Sequence, residues 1–405
     1  MVDLTEGLMD VQKLRSHFPA LAEGAAHFDG AGGSQTADVV GDAVRDTLLS
    51  AISNRNDVTR SERRAEEIVV QARAALADLL DADPGGVVFG RSMTALTFEF
   101  SRTLAKTWRP GDEVVVSRLD HDANVRPWVI AAEAAGVTVR WIDFDPETGE
   151  IEDVRGHLSE RTRLVALTGA SNLIGTKPDL RPVADAVHAV GGLFYVDAVH
   201  LTAHAPVSLA YFGADFLACS PYKFFGPHCG VVAAAPELLE ELHPDKLAPS
   251  SDAVPERFEL GTLPYELMAG VTAAIDFIAG IAPGAAAHRR DRLVASMTET
   301  AAHEDALRAR IEAELNGIGG VTLWSRAAER TPTLLMTFAE HDAADAYPFL
   351  ADLGINAPAG SFYGYEPARR LGLGAAGGLR IGLAPYTSEE DVDRLLDGLK
   401  AFLNR

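Results

Sequence analysis

Short apolar runs alternate with amphipathic stretches through the middle of this chain. The runs at 87–89, 113–117, 138–142, 164–168, 193–196, 216–219 and 231–234 have the length of buried strands and are bounded by turn-forming residues. Stretches at 94–106, 125–135 and 181–190 fall between most of them and place apolar residues at helical spacing. This alternation predicts an α/β fold, with a mostly parallel sheet of seven strands and helices on both faces. Upstream, 10–17 reads as a lead-in helix and FDGAGGSQT, from Phe28, as a Gly-rich turn. Residues 37–52 and 60–81 read as helices. The second sets Arg and Glu on one face and Ile68, Val69, Ala72, Leu76 and Leu79 on the other.

Beyond Pro283 the texture changes. A long charged helix is expected at about 286–316, then strands near 321–324 and 333–338. A Gly-rich segment at 354–378, a strand at 379–383 and a last helix from Ser388 follow. The expected organisation is an N-terminal segment (1–30) packing with a small domain, a large domain (31–282) and a smaller α+β C-terminal domain (283–405).

Composition narrows the classes. At 405 residues, with 47% hydrophobic and 23% charged residues, the chain is long enough for more than one core. No apolar run approaches the roughly 18–20 residues of a membrane helix, and the first residues show no apolar signal core. The expectation is a cytoplasmic protein with no membrane partner. A formal charge of −22 argues against a nucleic-acid partner. The two cysteines, Cys219 and Cys229, suggest no disulfide framework and fit a reduced compartment. No metal is expected.

Ligands of such sheets bind beyond the carboxyl ends of the strands, so the residues just after each strand carry the most information. Of six lysines, Lys223 alone sits at a strand end before an apolar turn, FFGPHCG. Apolar surroundings disfavour its charged form and free the amine as a nucleophile toward an aldehyde, although a loop lysine can also extend its amine to water. Asp197 ends the run GGLFYVD, where a carboxylate can pair with a pyridinium nitrogen or cap a helix. His121 can stack on a ring or sit in a surface loop. Asn172 and His200 can reach a ring oxygen, and Asn172 can equally serve a turn. Ser92, Met93 and Thr94 lie where a strand ends and a helix opens, which suits a phosphate or plain capping. Ser220 and Tyr222 could add hydroxyl donors.

In this order the chain resembles the class V aminotransferase family of fold-type I pyridoxal-5′-phosphate (PLP) enzymes, in its cysteine desulfurase branch. The resemblance runs from FPAL and HFDGAGGSQ through HDANVRPW, SNLIGT and YVDAVH to SPYKFFGPHCGVV, FELGT and LRIGLAPYTSEEDVDRLL. It implies that Lys223 holds PLP as a Schiff base, Asp197 pairs with the pyridinium and His121 stacks on the ring. It puts Asn172 and His200 at the ring oxygen and Thr94, Ser220 and Tyr222 at the phosphate. Gly261 and Thr262 would complete the phosphate site of the other subunit in a homodimer with shared active sites. Arg380 looks like the arginine that grips the substrate carboxylate, with Asn124 and Arg126 as further substrate contacts.

Two features depart from the branch. Tyr222 stands where a histidine is frequent. The segment PAGSFYGYEPARRLGLGAAGG has no cysteine where desulfurases carry the one that attacks sulfur. With Arg126, Phe362, Tyr363 and Tyr365, this marks a desulfurase-like subgroup whose relatives include carbon–sulfur lyases. The expected activity is therefore β-elimination from an S-substituted L-cysteine, releasing a thiol, pyruvate and ammonia. Decarboxylation coupled to oxidative deamination, transamination and epimerisation remain alternatives, with true desulfuration ranked below them.

Overall fold

The computed structural model describes residues 9–284 and 286–405. Seven strands form the large sheet: β1 (Val87–Gly90), β2 (Glu113–Ser117), β3 (Thr138–Ile142), β4 (Thr162–Thr168), β5 (Leu193–Asp197), β6 (Phe216–Cys219) and β7 (Gly230–Ala234). Their spatial order is β1-β7-β6-β5-β4-β2-β3, and only β7 runs against its neighbours. Apart from the edge strand β3, the strands are largely buried on both faces, as a sheet covered by helices requires. Successive side chains alternate between two cores. Val115, Val165, Leu167 and Val196 pack with helices Arg60–Leu80, Leu180–Ala189 and Tyr265–Ala279. Val114, Val116, Leu164 and Ala166 pack with helices Met93–Ala105 and Arg126–Ala135. Helices thus cover both faces, as the sequence pattern predicts.

The register fixes the geometry of the sheet edge. Thr168 pairs with Asp197 and Asp197 with Ala218, so β4, β5 and β6 end side by side. Asp197 is the last residue of its strand, as the run GGLFYVD suggested.

The C-terminal part carries a four-stranded antiparallel sheet in the order Ala359–Gly360, Gly378–Gly382, Thr333–Phe338, Val321–Leu323. Its core gathers Leu334, Met336, Leu379 and Ile381 with Leu307, Ile311, Leu350 and Leu395 from flanking helices. Residues Ala26–His27 pair in parallel with Ile355–Asn356, and Asp29 bridges Gly382. That pairing brings the Gly-rich turn from Phe28 toward the large sheet. The expected Gly-rich segment 354–378 holds the short strands Ile355–Asn356 and Ala359–Gly360 and the helix Tyr365–Arg370. Two helices of ten or more residues, Tyr265–Ala279 and Ala343–Asp352, were not expected from the sequence, nor were the short helices Leu209–Phe212 and Pro236–Glu241. Among the described residues, no helix is long and apolar enough to cross a membrane.

Candidate active site

The strand ends converge on one cavity lined by Ser92, Met93, Thr94, His121, Asn172, Asp197, His200, Ser220, Tyr222 and Lys223, with Thr168, Ala170 and Val199. Thus ten of the residues singled out by sequence meet at one place. Lys223 ends a single helical turn after β6. Its Nζ donates to the carbonyls of Ala31 (2.6 Å) and Gly32 (2.9 Å), in the Gly-rich turn. Burial, then the Arg380 charge, pulls the Lys223 pKa down to about 7, against the opposing pull of Asp29 and Asp197. The amine is therefore available near neutral pH.

Asp197 accepts the Val199 N–H at 2.9 Å. Burial pushes its pKa up to about 6, only partly offset by that bond and by Lys223. A buried carboxylate in this position favours a cationic partner. His121 accepts the Ala123 N–H on Nδ1 at 3.0 Å, which leaves Nε2 protonated. Burial and the charges of Lys223 and Arg380 push its pKa down to about 4, so the ring is neutral at physiological pH.

At the phosphate end, Ser92 caps helix Met93–Ala105 by accepting the Ala95 N–H at 3.1 Å. The amides of Met93 and Thr94 precede the first full helical turn and lack helical acceptors. A Cβ on Gly230 would stand 2.0 Å from the Ser92 carbonyl carbon and 2.1 Å from the Met93 nitrogen. Glycine there lets the helix start lie directly against β7. Ser220 is buried, whereas Thr94 stands exposed at the rim.

At the opposite side, His200 Nε2 lies 3.0 and 2.9 Å from the Thr331 and Thr333 hydroxyls, while its Nδ1 has no partner. Asn172 Nδ2 donates to the Phe362 carbonyl at 2.9 Å, and its Oδ1 has no partner. Arg380, 2% exposed, donates to Asp29 (2.7 Å) and to the Asn172 carbonyl (3.2 Å), and its Nε has no partner. The Phe362 ring centroid lies 3.7 Å from its guanidinium carbon.

Besides Arg380, which is not part of the lining, four expected residues stand apart from this cavity. Gly261 and Thr262 are exposed, and Thr262 lines a separate surface recess with Arg91 and Leu260. Arg126 lines a neighbouring recess and is tied to Asp122 (2.9 Å) and Glu366 (3.4 Å). Asn124 requires a correction as a substrate contact. It is fully buried, donating to Asp120 at 2.7 Å and accepting from Trp128 at 3.0 Å, so its amide is spent inside the fold.

The sequence reading also passed over Asp29, which anchors Arg380, and Asp120, whose Oδ2 is buried without a partner. The adjacency of Asp120 to His121 at a strand end was the available signal.

A family model for aminotransferase class-V matches residues 26–395. The chain belongs to the class V aminotransferase family. An uncharacterized protein of Mycobacterium tuberculosis is 32% identical over 96% of this chain and 98% of its own length. A probable cysteine desulfurase of Pseudomonas aeruginosa is 30% identical, covering 94% of this chain and 95% of that protein. Among solved structures, a cysteine desulfurase of Escherichia coli superposes with a TM-score of 0.86 at 25% identity, over 98% of this chain and 99% of that one. The architecture is thus that of fold-type I PLP enzymes, and the family is PLP-dependent.

The cavity residues fit PLP by their chemistry. Free amides at a helix start suit a phosphate, a buried carboxylate suits a ring cation, and a lysine with a depressed pKa suits an aldehyde. The unpartnered atoms of Asn172 and His200 leave hydrogen-bonding capacity at the edge of the same cavity.

Proposed function

We propose that this chain is a PLP-dependent carbon–sulfur β-lyase that cleaves an S-substituted L-cysteine into a thiol, pyruvate and ammonia, consuming one water. The observation that carries this reading is that neither cysteine reaches the cavity. Cys219 lies inside β6 and Cys229 just before β7, both buried and unpaired. Burial raises the pKa of both thiols, that of Cys229 to about 12, so neither is a thiolate nucleophile at neutral pH. Phe362 and Tyr363 occupy the segment in which a desulfurase would offer its cysteine.

Lys223, Asp197, His121, Asn172, His200, Ser220, Tyr222 and the Ser92–Thr94 turn would hold the cofactor. Bound PLP supplies an electron sink for the charge that develops at the substrate Cα. Lys223, neutral in part at pH 7, takes the Cα proton. Arg380 binds the α-carboxylate, with Asp29 fixing its plane. His121, kept neutral, offers a flat face without adding positive charge beside the ring. Asp197 would supply a negative charge for the ring nitrogen. Loss of the Cα proton then expels the sulfur as thiol, with no protein thiol needed as acceptor.

Gly261 and Thr262, exposed and outside the cavity of their own chain, support a homodimer in which they reach the partner's phosphate site.

The test compares the wild type with a Cys219→Ser, Cys229→Ser double variant on S-substituted cysteines and on free cysteine. Thiol and pyruvate should appear in equal amounts, with kcat in the double variant within about threefold of the wild type once folding is verified. Alanine from free cysteine as the main product, lost in the double variant, would identify a desulfurase.

A further inference from the structure

Next to the cavity lies a second, more open recess of about 650 Å³, lined by Asp122, Arg126, Ser361, Phe362, Tyr363 and Tyr365. The segment between the two is unusual in its backbone. Phe362 (φ 52°) and Tyr363 (φ 57°) both adopt the left-handed conformation that bulky residues avoid. Their surroundings hold them there. The Phe362 carbonyl accepts from Asn172 and the Tyr363 carbonyl accepts from the Asp122 N–H at 2.8 Å. The Phe362 ring lies over Arg380, and the Tyr363 ring lies 5.5 Å from that of His121. The segment lines the outer recess while touching Asn172 and His121 of the cavity, with Tyr363 78% and Tyr365 47% exposed.

Charge on this outer side is matched. Arg126 is bound by Asp122 and Glu366, and Arg118 also pairs with Glu366 at 3.1 Å. The lining itself carries one guanidinium and one carboxylate, Arg126 and Asp122, and they pair with each other. Tyr365 is steadied from two sides, by Arg126 5.7 Å from its ring centroid and by Arg369, which donates to its hydroxyl. What the recess offers is aromatic surface with peripheral hydrogen-bond donors. Such a lining selects flat, uncharged rings.

We propose that this recess receives the substrate side chain beyond the sulfur, and that it selects an uncharged aromatic or heteroaromatic S-substituent. The inference rests on the β-lyase reading for the sulfur and on Arg380 as the carboxylate anchor. Phe362 lies against Arg380 and, with Tyr363 and Tyr365, lines the recess, so the carboxylate anchor and the recess share one wall residue.

Calorimetric titration of the holoenzyme with unreactive methylene isosteres tests it without relying on turnover. The L-forms of 2-amino-5-phenylpentanoate, norleucine and 2-aminoadipate present a ring, an alkyl chain and a carboxylate in place of the S-substituent. The phenyl compound should bind about tenfold or more tighter than norleucine, and 2-aminoadipate no tighter than norleucine. Tyr365→Ala should cut the phenyl advantage to below about threefold, and Tyr365→Phe should keep it. Tyr363→Ala, at a more exposed ring, should also reduce the advantage and guards against misfolding of the first variant. Equal binding of the phenyl and alkyl compounds, preference for 2-aminoadipate, or an advantage untouched by both alanine variants would overturn the inference. Thiol release from S-benzyl-L-cysteine is scored separately. Its absence with the phenyl preference intact would defeat the β-lyase reading alone.

Discussion

The clusters of buried charge around Arg73 and around Lys223 are built on opposite terms. Around Arg73, each charge finds a partner. Its guanidinium grips Glu259 through two bonds (3.0 and 2.9 Å), reaches the Val87 carbonyl, and touches Glu256, which Arg55 also holds. Glu259 accepts the Phe89 N–H as well, at 3.0 Å. This cluster ties helix Arg60–Leu80 to β1 and to the chain before helix Tyr265–Ala279. Around Lys223, partners are missing. Asn172 Oδ1, His200 Nδ1, Arg380 Nε and Asp120 Oδ2 are buried without hydrogen bonds, and the lysine itself leans on two backbone carbonyls. Leaving buried polar atoms unmatched destabilises a fold. Saturation at Arg73 thus marks a structural joint. Deficit at Lys223 marks a place prepared for a ligand.

The sharpest way to break this contrast is to remove one partner from the saturated cluster. Arg73→Ala should cost about 3–5 kcal/mol of stability in urea unfolding, because Glu259 is left buried and unpaired. Turnover per folded molecule should stay within about twofold, since Arg73 does not line the cavity. A matching loss of turnover per folded molecule would erase the distinction.

At the deficient cluster the pattern should invert. Arg380→Lys should lower kcat/KM for the amino-acid substrate by about 10²-fold, since an ammonium cannot reproduce bidentate carboxylate binding. Any loss of stability should be smaller than that of Arg73→Ala, because the charge opposite Asp29 is kept.

The smallest effect concerns Asp120. Burial pushes its pKa up to about 8, more than the bond from Asn124 offsets. An acid bound more tightly to its proton in the folded state stabilises the fold below its unfolded pKa of about 4 and loses that contribution as pH rises toward 8. In cofactor-free protein, Asp120→Asn should therefore gain stability relative to the wild type between pH 4 and pH 8, by about 1–3 kcal/mol at the upper end. A difference that does not vary with pH would show that Asp120 does not titrate in this window.

Much of this arrangement was legible before the structure. Each large-sheet strand is a short Val- or Leu-rich run with turn residues beside it, and the site residues follow from looking just past those runs. Helix Tyr265–Ala279 escaped because its sequence, YELMAGVTAAIDFIA, is apolar on nearly every side and shows no clear polar face. Helix Ala343–Asp352 escaped because Pro348 sits inside it. Within the site, Lys223 and Asp197 could be read from local context. The ties of Arg380 to Asp29 and of Arg118 to Glu366 could not, because they join segments hundreds of residues apart. The same holds for His204, whose Nδ1 lies 3.2 Å from the buried Glu304 on the long C-terminal-half helix. Asn124 misled for the opposite reason. Its place in HDANVRPW suggested a ligand contact, whereas helical spacing gives its amide to Trp128 one turn away.

The central claim is that the unsaturated cluster is the cofactor site and Lys223 its anchor. Borohydride reduction of the purified holoenzyme, followed by peptide mapping, tests it most directly. One modified peptide is expected, carrying the reduced cofactor on Lys223 and spanning SPYKFFGP, with no such product in Lys223→Ala. Modification of any of the other five lysines instead, or an unlabelled chain that still turns over, would contradict it.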